Sequence, residues 1–169
     1  MKQGTLLLTL SMIGASVIAL SAYANSGSAQ DFVRKASAAN AFEIESSKLA
    51  LKKSPSGDVK TFAQTMVDDH TTTAGKLGDA LKISKSRAHP SDKLDDKQQK
   101  LMGQLETASG TAFDSQYIAM QTDAHKEAVD LFGDYAKNGS DPALKDFAAR
   151  TLPTLQTHLQ HVEQLAGNH

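Results

Sequence analysis

The sequence of 169 residues predicts an all-α fold, and three observations support this fold class. After residue 30, apolar residues recur at spacings of three and four, the pattern of a helix with one buried face. The composition favours helix over strand, because aromatic residues make up only 5% of the chain while Ala, Leu, Lys, Asp and Gln are frequent. No segment shows the alternating, β-branched pattern of a strand, so helices are expected throughout.

The first 24 residues match a secretory signal peptide. Lys2 provides a positive start, the fifteen residues from Leu6 to Leu20 carry no charge, and A-Y-A at residues 22–24 forms a cleavage site. The apolar run is shorter than the roughly 20 residues that a transmembrane helix needs. We therefore expect a signal peptide over residues 1–24, a flexible tail over residues 25–30, and export to the periplasm. Extracellular or peripheral outer-membrane locations are the alternatives.

Two long helices are expected in the first half of the domain that covers residues 31–166. The first begins at Asp31, a favourable N-cap, and ends at the turn S-P-S-G over residues 54–57. Asp58 is expected to cap the second, whose apolar stripe continues to Leu81. Because the turn is short, these two helices form an antiparallel pair.

A second antiparallel pair follows a long connection. The connection covers residues 84–110 and contains a helix of about seventeen residues that opens at Ser91. The next helix covers about residues 111–137, and Asp141 caps the last one, in which Pro153 is expected to introduce a kink. The chain therefore contains four long helices and one shorter helix between the two pairs.

The length of the connecting helix predicts the topology. At 1.5 Å per residue it is roughly 25 Å long, enough to run back along the other helices. A four-helix bundle with one long helical crossover between its second and third helices is the ferritin-like arrangement, and this is the fold that we predict. An up-down bundle with the extra helix packed across one end is the alternative.

Charge and cysteine content exclude several classes of function. The formal net charge of −1 lacks the basic excess of nucleic-acid-binding proteins. The absence of cysteine excludes disulfides, thiolate metal sites and Cys nucleophiles. No second apolar span follows the signal peptide, so integral membrane insertion is not expected. The sequence contains neither G-x-S-x-G nor H-E-x-x-H, and we assign no enzymatic activity, protein partner or oligomeric state from it.

Ionisable residues interrupt the apolar stripe of each long helix. They are His70, His125 and His158 on the second, third and fourth long helices, and Glu43 or Glu45 on the first. Counted from the two turns, the members of each antiparallel pair differ by roughly 4–7 Å in height. We therefore expect one such side chain from each helix near the middle of the bundle, where metal sites of helical bundles are built.

The spacing of these residues favours a mononuclear metal site. Di-iron bundles use Glu-x-x-His on two helices, whereas Val67, Thr122 and Leu155 precede the three histidines here by three residues. Three histidines and one carboxylate would bind a single Zn, Cu, Fe or Ni ion. Asp69 or Asp123 could be an outer hydrogen-bond acceptor for an imidazole, and the alternative is that each faces water. The residues do not discriminate among these metals.

Two other interpretations remain open. The histidines could hydrogen-bond within the core of a structural, interaction or stress-related envelope protein that binds no metal. Alternatively, small residues such as Ala36 and Gly78 could leave room for a small molecule or peptide inside the bundle. His161, one turn after His158, could chelate a metal with it or face solvent.

Five segments of the chain resemble a known family. They are D-F-V-R-K-A at residues 31–36, A-F-E-I-E at 41–45, V-K-T-F-A-Q-T-M-V-D-D-H at 59–70, A-H-K-E-A-V-D-L-F at 124–132 and A-L-K-D-F-A-A-R-T-L-P-T-L-Q-T-H-L at 143–159. Together they resemble the bacterial exported family known as domain of unknown function 4142. The resemblance implies a ferritin-like helical bundle in the cell envelope, without an agreed activity. It also implies motif positions at Glu43, Glu45, His70, His125 and His158.

Overall fold

The computed structural model describes residues 28–91 and 93–168. The predicted signal peptide and residues 25–27 of the predicted tail lie outside the described residues. The five helices are α1 (Ala29–Lys53), α2 (Gly57–Ile83), α3 (Asp96–Thr107), α4 (Gly110–Asn138) and α5 (Pro142–Asn168). Within the described residues there is no β-strand, which confirms the all-α fold class.

Two predicted helix starts are wrong by a few residues. The hydroxyl of Ser28, rather than Asp31, caps α1, and it accepts a hydrogen bond of 3.1 Å from the amide of Asp31. Ser56, rather than Asp58, caps α2 in the same way. In both helices the serine precedes an aspartate that then lies in the first turn, where its charge favours the helix dipole. As a result, Ala29 and Gln30 belong to α1 and not to the predicted tail.

The predicted cap of the last helix is confirmed. The carboxylate of Asp141 accepts a hydrogen bond of 3.1 Å from the amide of Leu144, which is the geometry of an N-cap. The helix then continues through Pro153 to its end. In the described part of the chain, none of the five helices combines the length and the apolar character that a membrane crossing requires.

The connecting helix α3 is shorter than predicted. It has 12 residues and begins after Asp95, which forms a capping box with Gln98, so Ser91 does not open it. The described residues between α2 and α3 form no regular secondary structure and are attached to the long helices. The hydroxyl of Ser84 bonds to Asp141 at the start of α5, and the amide of Ser91 bonds to the hydroxyl of Ser37 on α1. From there α3 packs against α1 and α4.

The four long helices pack side by side around a common core. Each contacts two of the others, in the cyclic order α1, α2, α5, α4. The core consists of two apolar clusters at different heights. The first includes Phe32, Phe132, Tyr135, Leu144 and Phe147, and the second includes Phe62, Met66, Leu105, Phe113 and Tyr117. On every long helix a buried polar residue lies between the residues of the two clusters.

Candidate metal centre

A layer of buried polar side chains separates the two apolar clusters. Glu43 comes from α1, His70 from α2, His125 from α4 and His158 from α5, so each long helix contributes one side chain. Each of the four residues is 5% exposed or less. Counting from the turns predicts heights within roughly 4–7 Å of each other in each antiparallel pair, and the four residues lie in one layer between the two apolar clusters.

The three imidazoles converge on a common point. One ring nitrogen of each histidine lies within 4.8 Å of the corresponding nitrogens of the other two. The ring centroids are 5.8 Å apart for His70 and His125, 5.7 Å for His70 and His158, and 5.4 Å for His125 and His158. The ring centroids thus form a nearly equilateral triangle, and the three rings come from three different helices.

One nitrogen of each ring, the outer nitrogen, donates a hydrogen bond to a residue that is not one of the three histidines. The three bonds join His70 Nδ1 to Asn40 Oδ1 (3.0 Å), His125 Nδ1 to the backbone oxygen of Gln121 (2.9 Å), and His158 Nε2 to Asp69 Oδ2 (2.8 Å). All three partners are acceptors, so each holds the ring proton on the outer nitrogen. Partners of this kind orient imidazoles at metal sites and raise their basicity.

The remaining nitrogen of each ring has no partner. His70 Nε2, His125 Nε2 and His158 Nδ1 are buried without a hydrogen bond to any residue that the structure describes. A buried polar atom left unpaired costs about 1–3 kcal/mol. Because the outer nitrogens carry the protons, all three unpaired nitrogens present lone pairs, which is the form that binds a metal ion.

Burial keeps the three imidazoles neutral. It lowers the pKa of His125 to about 4, and the hydrogen bond to the Gln121 backbone opposes this change only in part. Burial also lowers the pKa of His70 well below 6.5, with the two neighbouring histidines adding to the effect. The pKa of His158 is lowered by burial and partly restored by Asp69. At neutral pH a metal ion would therefore displace no proton from these rings.

Of the two candidate carboxylates on α1, only Glu43 lies in this layer. Its Oε1 is 3.9 Å from Nδ1 of His125, beyond hydrogen-bond distance, and its Oε2 is buried without a partner among the described residues. Burial raises the pKa of Glu43 to about 8, although the amide of Gln121 partly offsets the rise. Glu45 is exposed. At neutral pH the centre is thus flanked by one protonated carboxyl group.

A small cavity adjoins two of the three histidines. Its volume is about 20 Å³, and its lining includes Glu43, His70 and His125. Alanines of α1 and α4 form much of the remaining wall. A cavity of this size holds about one water molecule or one ion. The centre therefore has room for one small occupant beside the imidazoles.

We expect Glu43→Gln to change how stability depends on pH in the metal-free protein. Between pH 4.5 and about 8 the folded state keeps the Glu43 proton, because its pKa is raised, whereas the unfolded chain loses it. This difference lowers the free energy of unfolding as the pH rises through that window. The glutamine variant has no such carboxyl group to titrate. Its free energy of unfolding at pH 8, measured with urea, should therefore exceed that of the wild type by up to roughly 5 kcal/mol.

Glu45→Gln is the matched control, because it makes the same chemical change at an exposed position of the same helix. It should keep the pH dependence of the wild type. Equal slopes between pH 4.5 and 8 for wild type and both variants would show that Glu43 is not a buried neutral carboxyl group.

The sequence pattern identifies only some of the residues around the histidines. Asp69, one of the two predicted outer acceptors, does bond to a ligand candidate, whereas Asp123 is exposed. The pattern places Asn40 on the buried face of the first helix but does not mark it as the acceptor for His70. Its position three residues before Glu43, on the same helix face, is the signal that could have found it. His161 is exposed and packs edge-on against Phe62.

The fold and the centre define a class of protein: an all-helical protein in which three of four packed long helices each supply one buried histidine to a common point. The chain belongs to a family described as a domain of unknown function (DUF4142), whose model matches residues 16–165. No curated protein sequence matches this chain.

Two solved structures share the fold. One is CopM in the Cu(II)-bound form, with a TM-score of 0.69 and 16% sequence identity over 83% of this chain and 97% of CopM. The other is CopM in the Ag-bound form, with a TM-score of 0.65 and 18% identity over 83% of this chain and 96% of CopM. At this level of identity the likeness shows the common fold alone.

Proposed function

We propose that this protein binds one transition-metal ion, with copper as the first candidate, through His70, His125 and His158. The observation that carries the proposal is that the three buried histidines bring one ring nitrogen each within 4.8 Å of the others, and that each ring has one nitrogen without a hydrogen-bond partner. We further propose that the four long helices form a ferritin-like bundle and that the mature protein is exported to the cell envelope.

Purely structural histidines explain the centre less well. A core histidine contributes to stability when its polar atoms are paired, and here each ring leaves one nitrogen unpaired in the same place. Three such atoms, at about 1–3 kcal/mol each, are a large cost for a domain of ordinary stability. One bound metal ion would satisfy all three nitrogens at once. This is the physical argument against a protein that binds no metal.

The three imidazole ligands limit which metal ion can bind. Imidazole nitrogens suit Zn, Cu, Fe and Ni, and the sequence offers no thiolate. Three neutral rings add no negative charge, so a monovalent ion leaves less uncompensated charge in this buried layer than a divalent ion. That property favours copper, because among these metals it has an accessible monovalent state, Cu(I), which nitrogen ligands can stabilise. The fold shared with CopM, a protein seen with Cu(II) and with Ag, supports the same choice.

A divalent ion would require a negative ligand in addition. Glu43 is the carboxyl group of this layer, because it lines the same small cavity as His70 and His125. Its oxygens do not belong to the cluster of ligand atoms that lie within 4.8 Å of one another, so the side chain would have to move toward the ion to bind it. Its carboxylate would then complete the set of three histidines and one carboxylate. Because the three imidazoles are 5% exposed or less, a substrate molecule would have no direct contact with the ion. We therefore propose binding rather than catalysis.

The test is a titration of the purified protein with Cu(I), Cu(II), Zn(II), Fe(II) and Ni(II). We expect one equivalent of copper to bind, as measured by calorimetry, and to raise the melting temperature. A ligand at a hundred times its dissociation constant stabilises the folded state by about 2.7 kcal/mol. A chelator should reverse the shift. If none of the five ions changes the melting temperature, the protein is a structural one with core histidines.

A further inference from the structure

A surface groove lies next to the buried centre. It has a volume of about 500 Å³ and runs between α1 and α2, beside the chain at Pro90 and Ser91. Four residues line both this groove and the small cavity at the histidines. They are Ala36, Asn40, Thr73 and Phe132. Because the same side chains face both spaces, the wall between them is a single layer of side chains.

We infer that this groove is the route by which the metal ion reaches the three histidines, with Asn40 and Thr73 forming the gate. The inference rests on the proposed metal-binding function. Neither residue is fully buried, and Thr73 follows His70 by three residues, which places it one turn away on the same helix face. Asn40 is in direct contact with the centre, through its hydrogen bond to Nδ1 of His70.

The chemistry of the wall favours this route. A metal ion that leaves water needs protein atoms to replace its hydration shell step by step, because a bare charge in an apolar environment is very unfavourable. The side-chain oxygens of Asn40 and Thr73 can take that role. Rotation of the Asn40 carboxamide away from His70 would also release the ring that it holds. The gate is thus made of two small polar side chains that can move without shifting a helix.

The other two grooves next to the core are less suitable as routes for a metal ion. The groove between α1 and α4 shares three residues with the cavity, Ala39, Ala124 and Ala128, whose methyl groups provide no ligand atom. The groove between α2 and α5 shares only Thr73 with the cavity, and it shares Phe147 with the first groove. It also contains Asp69, but Asp69 bonds to the outer nitrogen of His158, the one that faces away from the triangle.

The test is to obstruct the groove without touching the centre. Ala74 is exposed and lines the groove but not the cavity, so Ala74→Phe places a phenyl ring beside Thr73. Ala119→Phe is the matched control, because Ala119 is an exposed helical alanine that lines none of the three grooves. Circular dichroism would verify that both variants are folded.

Stopped-flow measurements with Cu(II) follow the quenching of tyrosine fluorescence on binding and its recovery when a chelator removes the ion. In Ala74→Phe we expect association and release each to slow by about tenfold, with the dissociation constant within about twofold of wild type. An obstructed route raises the same barrier in both directions, whereas a damaged site changes affinity. Ala119→Phe should behave as wild type.

Three outcomes would overturn the route. The first is an Ala74→Phe variant with wild-type rates. The second is a Thr154→Phe variant, in the groove between α2 and α5, that slows copper association and release while Ala74→Phe does not. The third is an altered dissociation constant with an unchanged association rate. None of these results contradicts the proposed metal-binding function. A wild-type protein that binds no copper would contradict both the function and the route.

Discussion

His125→Ala is expected to abolish high-affinity metal binding while leaving a folded protein. His125 is the most deeply buried of the three histidines, and its Nε2 has no hydrogen-bond partner among the described residues. Without it two imidazoles remain, and an ion would lose one of its three nitrogen ligands. Loss of an outer partner alone costs about 10- to 100-fold in affinity, so loss of a ligand should cost at least about a hundredfold. Calorimetry with copper measures the change.

The metal-free His125→Ala protein should remain folded because two effects oppose each other. The substitution leaves a cavity, which is destabilising, but it also removes a buried nitrogen that has no partner. The comparison therefore separates loss of a ligand from loss of the fold. Melting of both metal-free proteins in the presence of a chelator measures this directly.

The control is His161→Ala, since His161 is an exposed histidine one turn after His158 on the same helix. It should retain wild-type affinity and stoichiometry. Unchanged copper affinity in His125→Ala would contradict the site. If His161→Ala lost as much copper affinity as His125→Ala, the metal would instead bind near the surface of α5.

The second large effect is a loss of stability when the metal-free protein is acidified below pH 6.5. Burial lowers the pKa of all three histidines, that of His125 to about 4. Between those values and 6.5 the unfolded chain binds protons that the folded protein does not, so the free energy of unfolding falls as the pH falls. His125 alone accounts for roughly 3 kcal/mol of this loss.

The pH profile of the metal-free protein should therefore have a maximum near pH 6.5. On the acid side the three histidines together outweigh Glu43, whose raised pKa has the opposite slope between pH 4.5 and about 8. On the alkaline side the unfolded histidines are already neutral, and Glu43 alone lowers the stability. Urea unfolding at pH 4 to 9 in the presence of a chelator measures both slopes.

His125→Ala provides the internal control for the acid side. It should show a shallower loss between pH 6.5 and 4 than the wild type, and the same alkaline slope. A metal-free wild type whose unfolding free energy is constant from pH 6.5 to 4 would mean that the histidines are accessible to protons in the folded state. The assignment of three buried, neutral imidazoles would then be incorrect.

The sequence determined the helical fold class and the positions of the three histidines. A helical period of 3.6 residues assigns each residue to a face, so the pattern of apolar residues is enough to place His70, His125 and His158 in the interior. Counting from the turns then brings them to one height. These inferences succeed because they depend only on local geometry, which is nearly the same in every α-helix.

Local sequence was less informative at the helix ends. Ser28 and Ser56 are as suitable for capping as the aspartates that follow them, and the sequence alone does not rank adjacent caps. The length of α3 was overestimated because the segment before Asp95 is attached to the long helices by hydrogen bonds from Ser84 and Ser91. Those contacts join residues more than 50 positions apart.

Only the tertiary structure decided which atoms face the centre. Glu43 and Glu45 lie about 200° apart around α1, so one faces inward, and the rotation of α1 against its neighbours selects Glu43. The same packing brings Asn40 and Asp69 to the outer nitrogens and leaves three lone pairs turned inward. Ring orientation depends on partners that are distant in the chain, and a periodic pattern contains no information about them.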